Sequence, residues 1–376
     1  MIRCELNDLK DAISLTSLVE IKSSHAILNH SKIEKIAEEN KIGIYATDLE
    51  IGLKILIPAE ECDSESFCIN TKKATELISK LIPCPICLDF NGKQTKIFST
   101  EKTVKTKINL QSLPVTDFPE IPVPPKNASI IISSEILLSA LKKVMYAMSD
   151  NAQHFFLNGV HFDVKNGDLT VVATDSRRLA LYVVEGFEEK INFSVTVPSK
   201  TINLLTKIFK EDVPLSISVV ENLIFFESEK IILSSNLLNG NFPNYQQLLI
   251  KEKREKEITI EVNREEMISK VDRISPLAFK VINQIKVQLT ESDIKLYARN
   301  EEGDINEELS YEEKSDKVAE EINIGFNYMY ILDVLKNSIE SDKCFFRIVD
   351  GKNSIVIQTE EDLNFYGLIM PMKLNY

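Results

Sequence analysis

Glycine, histidine and cysteine are scarce in this 376-residue chain, and each shortage closes off a class of chemistry. Eleven glycines leave little room for a phosphate-cradling loop, and no glycine-rich phosphate motif is present. The histidines, His25, His30, His154 and His161, stand apart, without metal-ligand or triad spacing. Six cysteines in so long a chain are too few for a disulfide framework, so a reducing compartment is expected. No apolar run approaches the roughly 18 residues of a membrane-spanning helix. The opening MIRCELNDLKD carries acids where a secretory leader needs an apolar run. The expectation is a cytoplasmic protein with no membrane contact, no cofactor and no evident catalytic site.

The one stretch that argues otherwise is CPIC, Cys84 to Cys87, with Cys62 and Cys68 upstream. It can be written as a four-thiolate zinc site or as a redox pair. In LIPCPICLDF the two cysteines read as part of a β-strand, where positions i and i+3 point to opposite faces and cannot share a metal.

What is present is a globular composition, 44% apolar and 27% charged, at a length that suggests two or three domains. Three segments with apolar residues at i, i+3, i+4 spacing read as amphipathic helices: 4–19, 133–148 and 263–278. Each is followed by a second predicted helix, at 70–81, 198–209 and 325–338. Short β-like runs such as GLKILIPA, LTVVATD, RLALYVV, IKVQLT and IKLYAR fill the intervals. The landmark ATDLEIGLKI at 46 returns as ATDSRRLALYV at 173, and more weakly as ARNEEGDINEEL at 298. These steps of 127 and 125 residues are too long for a solenoid unit and right for a domain. The chain therefore reads as three copies of one α+β domain, 1–125, 126–253 and 254–376.

The net charge of −13, taken alone, argues against a polyanionic partner. It is unevenly spread. Segments 70–81, 134–149, 198–211 and 263–280 carry +2, +1, +2 and +1, against −2 for 5–22 and −1 for 326–343, so the acidic excess lies mostly outside the helical segments. That segregation suits a body presenting helices to phosphate, whose contacts with Lys and Arg are sequence-independent. Lysines that merely solvate helix faces would give the same count.

The last feature is the ending NFYGLIMPMKLNY, apolar where chain ends are ordinarily polar. With ATDSRRLA (173–180), NGNFPNYQQLL (239–249) and the terminal IMPMKL (369–374), the chain resembles the bacterial DNA polymerase III beta subunits, the sliding-clamp family. TDLE (47–50), LPVTDFPEIP (113–122), FFLNG (155–159) and IGFNYMYILDVL (324–335) extend the likeness along the full length.

The resemblance implies a DNA clamp fold of three repeated domains, antiparallel sheets outside and helices lining a central pore. It implies a head-to-tail homodimer that encircles duplex DNA, slides on it and acts as a polymerase processivity factor. Partners would be the polymerase III catalytic subunit, the clamp loader, and other polymerases and repair proteins carrying a clamp-binding peptide. Their pocket, between the second and third domains, would use Leu157, Thr174, Ser176, Arg177, Arg178, Leu179, Pro243, Gln247, Leu248, Ser354, Leu368, Ile369, Met370, Pro371 and Met372. Methionines suit such a socket because they adapt to varied apolar side chains. Lys22 and Lys200 are the implied DNA contacts. The subunit interface would set Lys102, Lys105 and Lys107 against Glu301, Glu302, Asp304, Glu307 and Glu308, with Ile274 nearby. Departures from the family pattern are Ser176-Arg177 in place of Gly-His, Gln247 in place of Arg, and the extra Asn375 and Tyr376. A peptide-binding scaffold that never encircles DNA is the competing reading.

Overall fold

A computed structural model describes residues 1–19, 25–36, 39–62, 65–101, 104–126, 129–187, 191–249, 254–313, 318 and 320–374. Lys22, Lys102, Asn375 and Tyr376 lie outside the described residues. Six α-helices are described: α1 Leu6–Thr16, α2 Thr71–Ile78, α3 Ser134–Val144, α4 Ser199–Ile208, α5 Arg264–Ile274 and α6 Tyr328–Asn337. They fall within the six predicted segments.

Local chemistry explains their starts and stops. The Asn70, Asn263 and Asn327 side chains accept from Lys73 N–H (3.0 Å), Glu266 N–H (2.9 Å) and Met329 N–H (3.0 Å). Each cap satisfies one of the donors that a helix start leaves orphaned. After α5 the backbone tightens into a 3-10 turn, Ser275–Leu277, where Pro276 cannot extend an α-helix. In α1 the buried positions Leu6, Leu9, Ala12, Ile13 and Thr16 follow the helical period.

By backbone contacts the chain forms two compact units, residues 1–135 with 203–237, and residues 136–202 with 238–376. The first holds a thirteen-stranded antiparallel sheet; the second holds a nine-stranded and a four-stranded sheet. The middle third of the sequence is shared between them. Strands Ser129–Ser133, Pro214–Val220, Leu223–Glu227 and Ile231–Asn236 extend the sheet of the first unit, whereas Gly159–Lys165, Asp168–Thr174, Arg178–Val184 and Phe193–Pro198 extend that of the second.

Each unit thus contains a joint at which strands from different thirds of the chain pair. In the first unit Ile51–Pro58 runs antiparallel to Ile231–Asn236, with Gly52 opposite Ser234. In the second, Arg178–Val184 runs antiparallel to Phe365–Ile369, with Leu179 opposite Leu368. The two joints match in register, since Gly52 and Leu179 stand 127 residues apart, the interval separating the ATD landmarks.

The first joint is closed by its own chain. A Cβ placed on Gly52 would lie 2.6 Å from Ile121 Cγ2 and 2.6 Å from Ser234 Oγ. Ile121 in turn packs on Tyr45, Cys68 and Phe118. Only glycine allows Ile121 this approach, so Gly52→Ala is expected to destabilise the protein by about 1–3 kcal/mol, the usual cost of overpacking. An unchanged urea midpoint would contradict the packing.

Candidate functional site

The second joint gathers most of the expected pocket residues, and it begins in a turn whose shape the ATD landmark sets. Thr174 Oγ1 donates to the Arg178 carbonyl (2.6 Å) and accepts from Ser176 N–H (3.1 Å). Asp175 Oδ1 accepts from Arg177 N–H (2.9 Å) and Arg178 N–H (3.0 Å). The first unit repeats the device: Thr47 Oγ1 donates to the Ile51 carbonyl (2.8 Å), and Asp48 Oδ1 accepts from Glu50 and Ile51 N–H (2.9 and 2.6 Å). Both turns place their third residue in the left-handed region, Leu49 at φ +79° and Ser176 at φ +75°. Glycine would hold that conformation without a Cβ penalty at either position.

From this turn a row of side chains crosses four strands by direct register, Thr174, Leu179, Leu368 and Val356. Leu179, Leu368 and Val356 join Val172, Leu181, Tyr245 and Tyr366 in one apolar cluster, against which Val183, Phe242 and Leu249 pack. The terminal segment continues the joint. Met370 N–H donates to the Arg177 carbonyl and Met372 N–H to the Gly325 carbonyl, both at 2.8 Å. Gln284 Nε2 donates to the Lys373 carbonyl (2.7 Å). A Cβ on Gly325 would come 2.6 Å from the Met372 carbonyl oxygen. Backbone and side-chain bonds thus tie residues 370–373 to the body.

Leu157, Thr174, Leu179 and Leu368 are buried. Ser176, Arg177, Pro243 and Gln247 are exposed, as are Leu248 (46%) and Met370 (43%), and Ser354, Pro371 and Met372 are half-buried. Two of the expected pocket residues depart from that role. Ile369 is fully buried and, by strand alternation, falls on the face opposite Leu368. Arg178 turns its guanidinium into hydrogen bonds within the chain.

Phe242 and Tyr245 carry the NFPNY stretch over the sheet, although neither is among the residues that the sequence marks for the pocket. Phe242 stacks on His161 at 4.4 Å, and Tyr245 Oη donates to Asp163 (2.7 Å). Burial and the Asp163 carboxylate push the Tyr245 phenol up to about 12. Nδ1 of His161 lies 3.1 Å from Thr196 Oγ1, and its Nε2 3.0 Å from Ser194 Oγ. Burial lowers the His161 pKa to about 4.

The remaining expectations scatter. Strand Lys107–Pro114 is paired on one side by Gln94–Phe98, and only its Ser112–Pro114 end is paired on the other, so Lys107–Gln111 borders an open edge among the described residues. Gly303–Ser310 is the last strand of its sheet. Lys105 and Lys107 are exposed beside the first edge. On the second, Glu302 pairs with Lys280 (2.8 Å), Glu307 with Arg273 (2.7 Å) and Glu308 with Lys295 (3.5 Å), while Glu301 and Asp304 are exposed. Ile274 is fully buried against the core, so it has no surface to offer a second subunit. Lys200 is half-buried in α4. Cys84 and Cys87 are buried, Cys84 one residue ahead of strand Pro85–Phe90, and no metal-binding cluster exists among the described residues.

Three family models cover nearly the whole chain: the N-terminal domain of the DNA polymerase III beta subunit at residues 1–122, its central domain at 131–244 and its C-terminal domain at 251–373. The chain belongs to the DNA polymerase III beta subunit family. Sliding clamps are non-catalytic processivity factors of a replicative DNA polymerase, and this sliding clamp is therefore no enzyme but an α+β chain of three clamp domains. It is 26% identical over 369 residues to the beta sliding clamp of Bacillus subtilis, covering 94% of each chain. The fold matches the crystal structure of the Pseudomonas aeruginosa DNA polymerase III subunit beta, with TM-score 0.90, 22% identity and 100% of each chain covered. It also matches a Pseudomonas aeruginosa sliding clamp bound to griselimycin, with TM-score 0.89, 22% identity and 99% of each chain covered.

His161 generates a pH prediction for this sliding clamp. Its folded pKa lies below the ordinary value of 6.5, so the unfolded chain binds the proton first as pH falls. Stability should decline through the window from about 6.5 to about 4, by at most ~1.4 kcal/mol per pH unit from this residue. His161→Asn, which cannot take the proton, should flatten that part of the stability profile in urea titrations. An equal slope in both proteins would refute it.

Proposed function

We propose that two copies of this chain close head to tail into a ring around duplex DNA, and that partners dock a short peptide on the joint of Leu179 and Leu368. The three domains would be 1–125, 126–253 and 254–376. One observation carries the ring: among the described residues the first third of the sequence holds an open strand edge beside Lys105 and Lys107, and the last third holds one beside Glu301, Glu302, Asp304, Glu307 and Glu308. Unpaired edges invite pairing, and opposite charge sets which edge meets which. The ion pairs that Glu302 and Glu308 make within the chain are largely exposed, hence weak and exchangeable for contacts with a second copy, whereas Glu307 is largely covered in its pair with Arg273.

Helix geometry supports the dimer. Six helices spaced ~9 Å apart close a circle only ~17 Å across at their axes, which helix radii of ~5 Å nearly fill. Twelve leave a bore of roughly 25 Å, enough for a duplex with water around it. Lys22 and Lys200 are the proposed DNA contacts. Enclosure makes tight phosphate binding unnecessary, and weak non-specific contacts let the ring slide.

At the pocket, the buried leucine floor and the rim of Met370, Leu248, Pro243 and Gln247 suit an extended peptide with apolar anchors. The polymerase catalytic subunit, the clamp loader and repair proteins are the proposed partners. Griselimycin is a suitable probe, because a clamp of this fold has been crystallised with it.

Solution X-ray scattering across a concentration series tests the ring. The expected result is a mass near twice 42.7 kDa with an annular distance distribution. A monomer at every concentration would overturn it in favour of a peptide scaffold. The pocket is tested by combining Met370→Ala with Pro371→Ala, which should abolish griselimycin binding and leave the dimer intact. Unchanged affinity would remove the terminal segment from the site.

A further inference from the structure

Arg178 stands among the residues that the family resemblance assigns to the peptide, yet its side chain is committed elsewhere. Nε donates to Asp175 Oδ2 (3.0 Å), Nη1 to Asp333 Oδ2 (2.5 Å) and Nη2 to the Tyr146 carbonyl (2.6 Å). The Tyr330 and Tyr146 ring centroids lie 4.4 and 5.4 Å from its guanidinium carbon. The side chain is 11% exposed. Three pieces of chain that are distant in sequence therefore meet on one planar cation: the 3-10 turn Met145–Ala147, the turn 174–178 and helix α6.

Neighbouring contacts reinforce the same meeting point. Ser338, just past α6, donates to the Lys143 carbonyl (2.7 Å) and lies 3.2 Å from Tyr146 Oη. Lys143 pairs with Asp362, three residues before strand Phe365–Ile369, and lies over the Tyr182 ring. Burial raises the Tyr146 phenol pKa, so the ring stays a neutral neighbour of the cation.

The position of this cation relative to the terminal segment is what matters. Arg177, the residue before Arg178, supplies the carbonyl that holds Met370, and Gly325, three residues before α6 begins, supplies the carbonyl that holds Met372. Arg178 bonds its own turn to α6 through Asp175 and Asp333. The separation of the two carbonyls, and with it the path of the terminal segment, is set across that bracket.

We propose that Arg178 is a positioning residue: it spaces the two anchor points of the terminal segment and so shapes the docking socket, without itself contacting the docked peptide. The inference rests on the pocket reading above. Lysine cannot substitute, because a point charge on a flexible stem lacks the planar fork that reaches three acceptors in fixed directions.

The test is a double-mutant cycle read by calorimetric titration of the purified full chain with griselimycin, with thermal unfolding recorded on every variant. Arg178→Ala and Asp333→Ala should each weaken binding about tenfold, and the double variant should be hardly worse than either, because both remove one bracket. Arg178→Lys should fail to restore affinity. If Arg178 touched the ligand directly, Asp333→Ala would leave affinity intact and the two losses would add; either result overturns the proposal. Coupled losses of thermal stability with unchanged affinity would also overturn it, leaving a structural role alone. Failure of the pocket reading is separable, since griselimycin binding would then survive Met370→Ala with Pro371→Ala, whatever the cycle gives.

Discussion

Backbone groups at the edge of a sheet have to be paired or protected, and in this chain strands from successive repeats pair with one another. The pairing of Arg178–Val184 with Phe365–Ile369 governs how the second unit is assembled. It lays Leu368 opposite Leu179 and sets Ile369 on the other face. A slip of one residue would exchange them and dismantle the row from Thr174 to Val356. The same ladder carries the chain on to Met370, so core formation and the path of the terminal segment are one event. The apolar ending costs little to order, because successive backbone bonds to Arg177 and Gly325 satisfy groups that a free terminus would leave to water.

The two joints show how a duplicated framework is put to different uses by the size of a few side chains. Their register is the same and their turns are built alike, from Thr47 with Asp48 and from Thr174 with Asp175. Gly52 and Ser234 make the first joint low enough for Ile121 to settle on it. Leu179 and Leu368 fill the corresponding place in the second, leaving Met370 and Leu248 as exposed apolar side chains around it. One joint is thereby finished by its own chain, and the other is left with an exposed apolar rim.

Electrostatics divides in a parallel way. Glu257 is buried between Arg254 and Arg347 at 2.7 Å each, and the half-buried Arg178 bridges Asp175 and Asp333. Such groups hold neighbouring segments in register, because removing one partner strands the other in a poor solvent. Asp304 and Glu308 on Gly303–Ser310 are instead exposed, and the Glu308 pair with Lys295 is cheap to exchange. The acidic net charge of a protein proposed to surround DNA is then no contradiction, because the acidic excess lies mostly outside the helical segments, four of which are mildly basic.

Much of this was legible in the residues themselves. Helices follow from apolar spacing and asparagine caps, and the repeat from the ATD landmarks, because each is encoded within a few residues of chain. What the residues could not express was direction. That Ile369 faces away from Leu368's row, that Ile274 is sealed in the core, that Phe242 and Tyr245 roof the sheet, and that Arg178 reaches Asp333 rather than outward all depend on partners far off in sequence. Local pattern determined which elements form; long-range strand register and the satisfaction of buried polar groups decided which side chains meet, and only the tertiary structure contains those pairings.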